Sequence, residues 1–275
     1  MCRIFFILNH FLTMNEIKRI MEQRLQKKSK YCLSKKDWGP RLDGMGLAYQ
    51  LNNNWILRNC PLDPTICSQA LIDIPKHSID NRPIIIHLRQ ICKERNCHES
   101  NAVALIENTH PFSYKDSVFA HNGEIINFDI GESRLLKYID SEFKKHIIGK
   151  TDTEQLFYLF LTIFERYEEN IREEKGKMKS IDFREIHKNI IEPFFDILSK
   201  EYPKYLANII YSNSDFSIIT RFSHGIKKPL SLYYSIKDGL IITSEPIGPG
   251  AKLVPEQTVI YIDHTTKHAF LHSIE

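Results

Sequence analysis

The chain has 275 residues, 42% of them hydrophobic and 26% charged, with a formal net charge of +3. That is the composition of a globular protein long enough for one large domain or two small ones. It excludes a membrane helix, since no stretch approaches the roughly 18–20 consecutive apolar residues needed, and it has no basic stripe with interleaved aromatics to bind nucleic acid.

Residues 2–8 read as a strand. Thr13-Met14-Asn15-Glu16 has the form of a capping box that opens a helix to about Lys28. A loop around Trp38-Gly39-Pro40 leads to two short apolar runs, Gly46–Leu51 and Trp55–Cys60, separated in hairpin fashion by Asn52-Asn53-Asn54. Thr65–Ile72 is expected as a short helix, and the β-branched run Pro83–Leu88 as a central strand. Ser117–Ala120 and Glu124–Phe128 flank His121-Asn122-Gly123, and Asn-Gly signals a tight turn because both residues tolerate positive φ. Helix-period apolar faces run from Asp152 to about Asn170 and from Asp182 to Lys200, joined by the charged link Glu173–Lys177. Strands return at 209–211, 216–222, 231–236, 239–243, 258–263 and 269–273. With no repeat and no linker, this order predicts a single α/β sandwich domain over 2–275, the helical segment 152–202 lying outside paired sheets.

The apolar start Ile4–Leu8 is broken by Asn9 and His10, and no small-residue cleavage site follows, so it is not read as a secretion signal. The six cysteines lack the dense spacing of a disulfide framework, and a soluble, cytoplasmic protein is expected.

Cys2 stands directly behind Met1. If Met1 is removed, the Cys2 thiol lies beside its own α-amine, which titrates near ~7.7–8.0 and can act as base for a thiol of pKa about 8.5. Cys2 equally suits the first position of a buried strand, since cysteine is among the most buried residue types. Cys92, Cys97 and His98 form a Cys-x4-Cys-His cluster, but no second ligand pair has zinc-site spacing. His87, His110 and His121 are candidate metal ligands or, more simply, hydrogen-bonding scaffold residues.

Seven segments in order resemble the class II, N-terminal-nucleophile glutamine amidotransferases: Cys2; Asp43-Gly44-Met45-Gly46; His87-Leu88-Arg89; Asn108-Thr109-His110-Pro111-Phe112; His121-Asn122-Gly123; Thr151-Asp152-Thr153-Glu154; and Ser244-Glu245-Pro246. The resemblance implies an α+β fold, the four-layer αββα sandwich of N-terminal nucleophile hydrolases, with no cofactor and no metal. It implies Cys2 as nucleophile and Asn122 with Gly123 as the oxyanion hole, which suits the donors a tetrahedral intermediate needs. Arg89 is implied to clamp the substrate α-carboxylate with its planar fork. Asp152 is implied to bind the α-ammonium, and His121 to lie with them at the substrate. Asp43, Gly44, His87, His110, Ser244 and Glu245 are implied as structural members, the Asp43–Gly46 segment shaping a turn beneath the nucleophile. By themselves, Arg89 is also an ordinary ion-pairing residue and Thr151 or Asp152 with Glu154 an ordinary helix cap.

The chain departs from the family at Gln90-Ile91-Cys92, where a small residue and a hydroxyl are usual, and at Met45, where an aromatic is usual. Only about thirty residues follow Ser244-Glu245-Pro246, too few for an acceptor domain. The chain is thus expected in a stand-alone branch similar to the γ-glutamyl amidohydrolase of ergothioneine biosynthesis and the amidotransferase-like subunit of a glutathione-degrading complex. The implied activity is attack of Cys2 on the γ-amide of glutamine or a γ-glutamyl conjugate, through a γ-glutamyl thioester, with a possible partner subunit using the product. The alternative is an inactive amidotransferase-like subunit that binds a γ-glutamyl ligand or a partner protein.

Overall fold

A computed structural model describes residues 2–8, 44–52, 54–61, 82–89, 105–175, 182–236, 239–247 and 250–273. The helices expected over 15–28 and 65–72, the loop at 38–40, Asp43, and the segment Gln90–His98 lie outside these.

Among the described residues thirteen strands form two antiparallel sheets. The first holds seven, in the order β11 (Lys252–Leu253), β9 (Tyr233–Ser235), β10 (Leu240–Thr243), β1 (Arg3–Leu8), β4 (Ile84–Arg89), β2 (Gly44–Leu51) and β3 (Asn54–Cys60). The second holds six: β13 (Ala269–Ser273), β12 (Thr258–Asp263), β8 (Phe216–His224), β7 (Tyr205–Ser212), β6 (Ser117–Ile125) and β5 (Phe112–Tyr114).

Side chains alternate across a strand, and β1 shows what that does to a wholly apolar run. Ile4, Phe6 and Leu8 pack into the space between the sheets with Ala48, Ile85, Val118, Ala120, Ile210 and Ile260. Phe5 and Ile7 point the other way and form a second core with Met45, Leu47, Tyr49, Ile84, Ile86 and Leu88. A strand buried on both faces has no polar side to show, hence the unbroken hydrophobic run. The outer face of the second sheet is covered by α1 (Asp152–Lys175) and α2 (Glu192–Glu201), with Phe119, Phe157, Phe160, Phe194 and Tyr211 at the centre of the third core. Each fully buried Phe or Ile contributes about 1.5–3 kcal/mol. The architecture is the expected sandwich of two sheets with helices outside.

Three local expectations are corrected. Asn122-Gly123 is not a hairpin turn: β6 runs unbroken from Ser117 to Ile125 and pairs with β7 throughout, Asn122 opposite Asn208 and Gly123 opposite Ala207. Glycine is required there for closeness, because a Cβ on Gly123 would sit 2.0 Å from the Leu206 carbonyl oxygen and 2.2 Å from His121 Nε2. Gly44-Met45-Gly46 is likewise not a turn but the start of β2, and a Cβ on Gly46 would lie 1.8 Å from the His110 carbonyl oxygen. Finally, the helix expected over 182–200 is interrupted: Phe183–Ile186 is α-helical, His187–Ile191 is a π turn, and α2 follows. Pro193 stands in the first turn of α2 and has no N–H for the carbonyl one turn back, which favours such a shift of the ladder.

Cys60, at the end of β3, is disulfide-bonded.

Candidate active site

Antiparallel register brings distant segments to one end of the first sheet. Arg3 pairs with Leu88 and Gly44 with Arg89, so one more step along the ladder sets the half-buried Cys2 beside Arg89. On the other side of β1, Phe5 pairs with Thr243, and the chain continues in register. Ser244 N–H donates to the Ile4 carbonyl at 3.1 Å, and the Ile4 N–H donates to Ser244 Oγ at 3.0 Å. Next along, Arg3 Nε and Glu245 Oε1 form an ion pair of 2.7 Å.

The second sheet reaches this end through Asn122. Even-numbered residues of β6 face the first sheet, as Val118 and Ala120 show, and Asn122 is the polar member of that row. Its Nδ2 donates to Ser244 Oγ at 2.9 Å, a hydrogen bond between sheets. Cys2, Arg89, Gly44, Ser244, Asn122 and Gly123, separated by up to 242 positions, thus converge.

Arg89 is only 5% exposed, and its Nη1 has no hydrogen-bond partner among the described residues. A buried unpaired guanidinium nitrogen is costly and is a donor suited to an anion. Two residues back on the same face, His87 is fully buried and neither ring nitrogen has a hydrogen-bond partner among the described residues. Burial, then the Arg89 charge and His121, push its pKa down to about 3. His110 packs against it, ring centroids 4.2 Å apart and planes tilted by 40°, and is also held well below the ordinary histidine value, first by burial, then by its histidine neighbours and Arg89. Its Nδ1 lies 3.2 Å from the His121 carbonyl oxygen and so carries the proton. The two rings form a neutral wall behind the guanidinium.

His121 faces the helical layer, opposite to Asn122. Its Nε2 donates to the Leu206 carbonyl at 2.9 Å, and its Nδ1 lies 3.0 Å from Thr153 Oγ1. Both ring nitrogens are engaged within the protein. Among the described residues no group of three or more His, Cys, Asp or Glu side chains is arranged to hold a metal ion; the Cys92, Cys97 and His98 cluster lies outside them.

The members of Thr151-Asp152-Thr153-Glu154 are bonded to one another and to the neighbouring elements, Thr153 Oγ1 lying 3.2 Å from Asp152 Oδ1. Thr151 Oγ1 accepts the Glu154 N–H at 3.2 Å and caps α1. Asp152 Oδ2 accepts the Ile125 N–H at 2.8 Å. Thr153 reaches His121 as described. Glu154 accepts the N–H groups of Ile148 and Gly149 at 2.9 and 2.7 Å; burial raises its pKa while these bonds oppose the rise. The segment before β5 is clamped by Asn59, whose Nδ2 donates to the carbonyls of Thr109 and Pro111 at 2.8 and 3.0 Å. Sequence reasoning passed over Asn59; a lone amide in an apolar hairpin strand was the signal available.

Two antiparallel sheets packed face to face, with helices on the outer face of the second, have the layering of the N-terminal nucleophile hydrolase fold. The family description of the class-II glutamine amidotransferases matches residues 31–193, and the chain belongs to that family. It is 32% identical over 111 residues to the probable glutamine amidotransferase DUG3 of Saccharomyces cerevisiae, which covers 40% of this chain and 31% of the yeast protein. The match thus spans about a third of that curated relative. The fold is shared with a glutamine aminotransferase class-II domain protein from Silicibacter pomeroyi, at 15% identity, full coverage of both chains and a TM-score of 0.61. It is shared also with the glutamine phosphoribosylpyrophosphate amidotransferase of B. subtilis, at 13% identity over 99% of this chain and 49% of that one, with a TM-score of 0.57. Among the described residues no helix is long and apolar enough to cross a membrane.

Proposed function

We propose that this chain is a γ-glutamyl amidohydrolase acting through Cys2, a single domain over residues 2–275. With Met1 removed, the α-amine takes the thiol proton and the thiolate attacks the γ-carbonyl carbon of glutamine or a γ-glutamyl conjugate. The oxygen becomes an oxyanion, received by Asn122 Nδ2 and the Gly123 N–H. The C–N bond then breaks, the α-ammonium returns its proton to the leaving amine, and a γ-glutamyl thioester remains. Water attacks the thioester with the amine as base, the C–S bond breaks, and glutamate leaves. Arg89 holds the substrate α-carboxylate and Asp152 the α-ammonium. The reaction draws on no cofactor or metal, takes place in the cytoplasm, and yields ammonia or an amine to a partner subunit.

The single observation that carries this reading is the bridge from Asn122 through Ser244 to Ile4, which joins the amide donor to the strand bearing Cys2. Membership of the amidotransferase family supports it. Intact mass before and after diazo-oxo-norleucine tests it. Protein lacking Met1 is expected to gain one adduct, absent in Cys2→Ala. No adduct on processed protein sinks the reading and leaves a binding subunit.

A further inference from the structure

Ser244 stands where the two sheets meet. Its peptide is fixed on both sides: its N–H is bonded to the Ile4 carbonyl at 3.1 Å, and its own carbonyl accepts Ser231 Oγ at 2.9 Å. Its hydroxyl oxygen accepts two hydrogen bonds, from the Ile4 N–H at 3.0 Å and from Asn122 Nδ2 at 2.9 Å. A serine oxygen has two lone pairs, and both are used.

The chemistry asks more of Asn122 than its presence. A donor stabilises an oxyanion only when it is already aimed at the place where charge develops. The terminal torsion of an asparagine amide is broad and nearly two-fold, and nothing in strand geometry locks it. Committing one Nδ2 hydrogen to Ser244 fixes that torsion and directs the second hydrogen elsewhere. The same oxygen is bonded to Ile4, two residues along β1 from Cys2. Donor and nucleophile therefore share one anchor.

We propose that Ser244 is the positioning residue of this site, its hydroxyl oxygen orienting the Asn122 amide and setting its distance from the strand that carries Cys2. This rests on the amidohydrolase reading above.

The test compares wild type, Ser244→Ala, Ser244→Thr, Asn122→Ala and the Ser244→Ala/Asn122→Ala double variant, all lacking Met1. Glutamine hydrolysis is measured alongside binding of glutamate and of glutamate γ-semialdehyde, whose thiohemiacetal places an oxygen at the oxyanion position. Ser244→Ala is expected to lower kcat about tenfold or more, and to weaken the semialdehyde by a similar factor. Glutamine KM and glutamate affinity should stay within about twofold, which also reports an intact fold. Ser244→Thr, which keeps the hydroxyl, should restore most of kcat. The double variant should be no slower than Asn122→Ala alone, because no amide remains to be positioned. Losses that multiply in the double variant overturn the proposal, as does a Ser244→Ala defect confined to KM and glutamate affinity. Normal kcat in Asn122→Ala removes the oxyanion reading and this proposal with it. A slow Asn122→Ala beside a normal Ser244→Ala removes only the positioning role.

Discussion

Asp152 Oδ2 accepts the backbone N–H of Ile125 at 2.8 Å, which ties the first turn of α1 to the end of the strand that carries Asn122 and Gly123. The carboxylate thus has a structural bond as well as the proposed hold on a substrate ammonium, and two substitutions separate them. Asp152→Asn keeps an oxygen for Ile125 and loses the charge; it should raise glutamine KM about tenfold or more while unfolding within about 0.5 kcal/mol of wild type. Asp152→Ala leaves a buried N–H unsatisfied and should lose about 1–3 kcal/mol of stability as well. Steady-state kinetics and urea unfolding of both variants decide it. An Asp152→Asn with wild-type KM ends the ammonium assignment.

Arg89 offers a second such contrast. Its buried Nη1 has no partner among the described residues, so the group carries a desolvation cost that a bound carboxylate offsets. Arg89→Lys, which keeps the charge but not the fork, should weaken glutamate at least about tenfold. Its thermal midpoint should change little without ligand, and the ligand-induced rise in that midpoint should be lost. Thermal melts with and without glutamate measure both.

Gly46 and Gly123 admit no side chain. The Cβ of Gly46→Ala would meet the His110 carbonyl oxygen at 1.8 Å, and that of Gly123→Ala the Leu206 carbonyl oxygen at 2.0 Å. Both obstacles are backbone, so relief requires moving a strand, at a cost of about 3 kcal/mol or more. Urea midpoints far below wild type are expected for each. An unshifted midpoint in either would show that the sheets separate more easily than their packing indicates.

The adjacent buried pair His87 and His110 makes stability depend on acid. Both pKa values are depressed in the folded state, that of His87 to about 3, through burial first. The unfolded chain therefore takes up protons near pH 6.5 that the folded chain refuses, and stability falls as pH drops below about 6.5. For His87 alone the slope approaches about 1.4 kcal/mol per pH unit until pH nears its folded value. His87→Phe should flatten the fall between pH 6.5 and 4.5 in urea unfolding. An equal slope in wild type and variant would assign the acid sensitivity to other groups.

Much of this was legible in the residues because it is local. The double-faced apolar run of β1, the hydrophobic stretch Ile84–Ile86, the capping set Thr151 and Glu154, and the helical period after Asp152 each state their structure within a few positions. Other features misled for the same reason. Asn122-Gly123 carries a strong local turn signal, yet the chain crosses it in extended form, since pairing with β7 and the nearness of Leu206 and His121 override the preference. The two-residue alternation of β6, which no local signal announces, turns His121 towards Thr153 and Asn122 towards Ser244.

By itself the sequence determined which chemical groups are present, their order, and the elements that hold them, because propensity, capping and periodicity act over one to two turns. Tertiary structure alone decided which of them meet. The approach of Asn122 to Ser244 spans 122 positions, and that of Ser244 to Ile4 spans 240. Such contacts follow from strand register and the stacking of two sheets, and these are set by the packing of all three cores together, not by any segment alone.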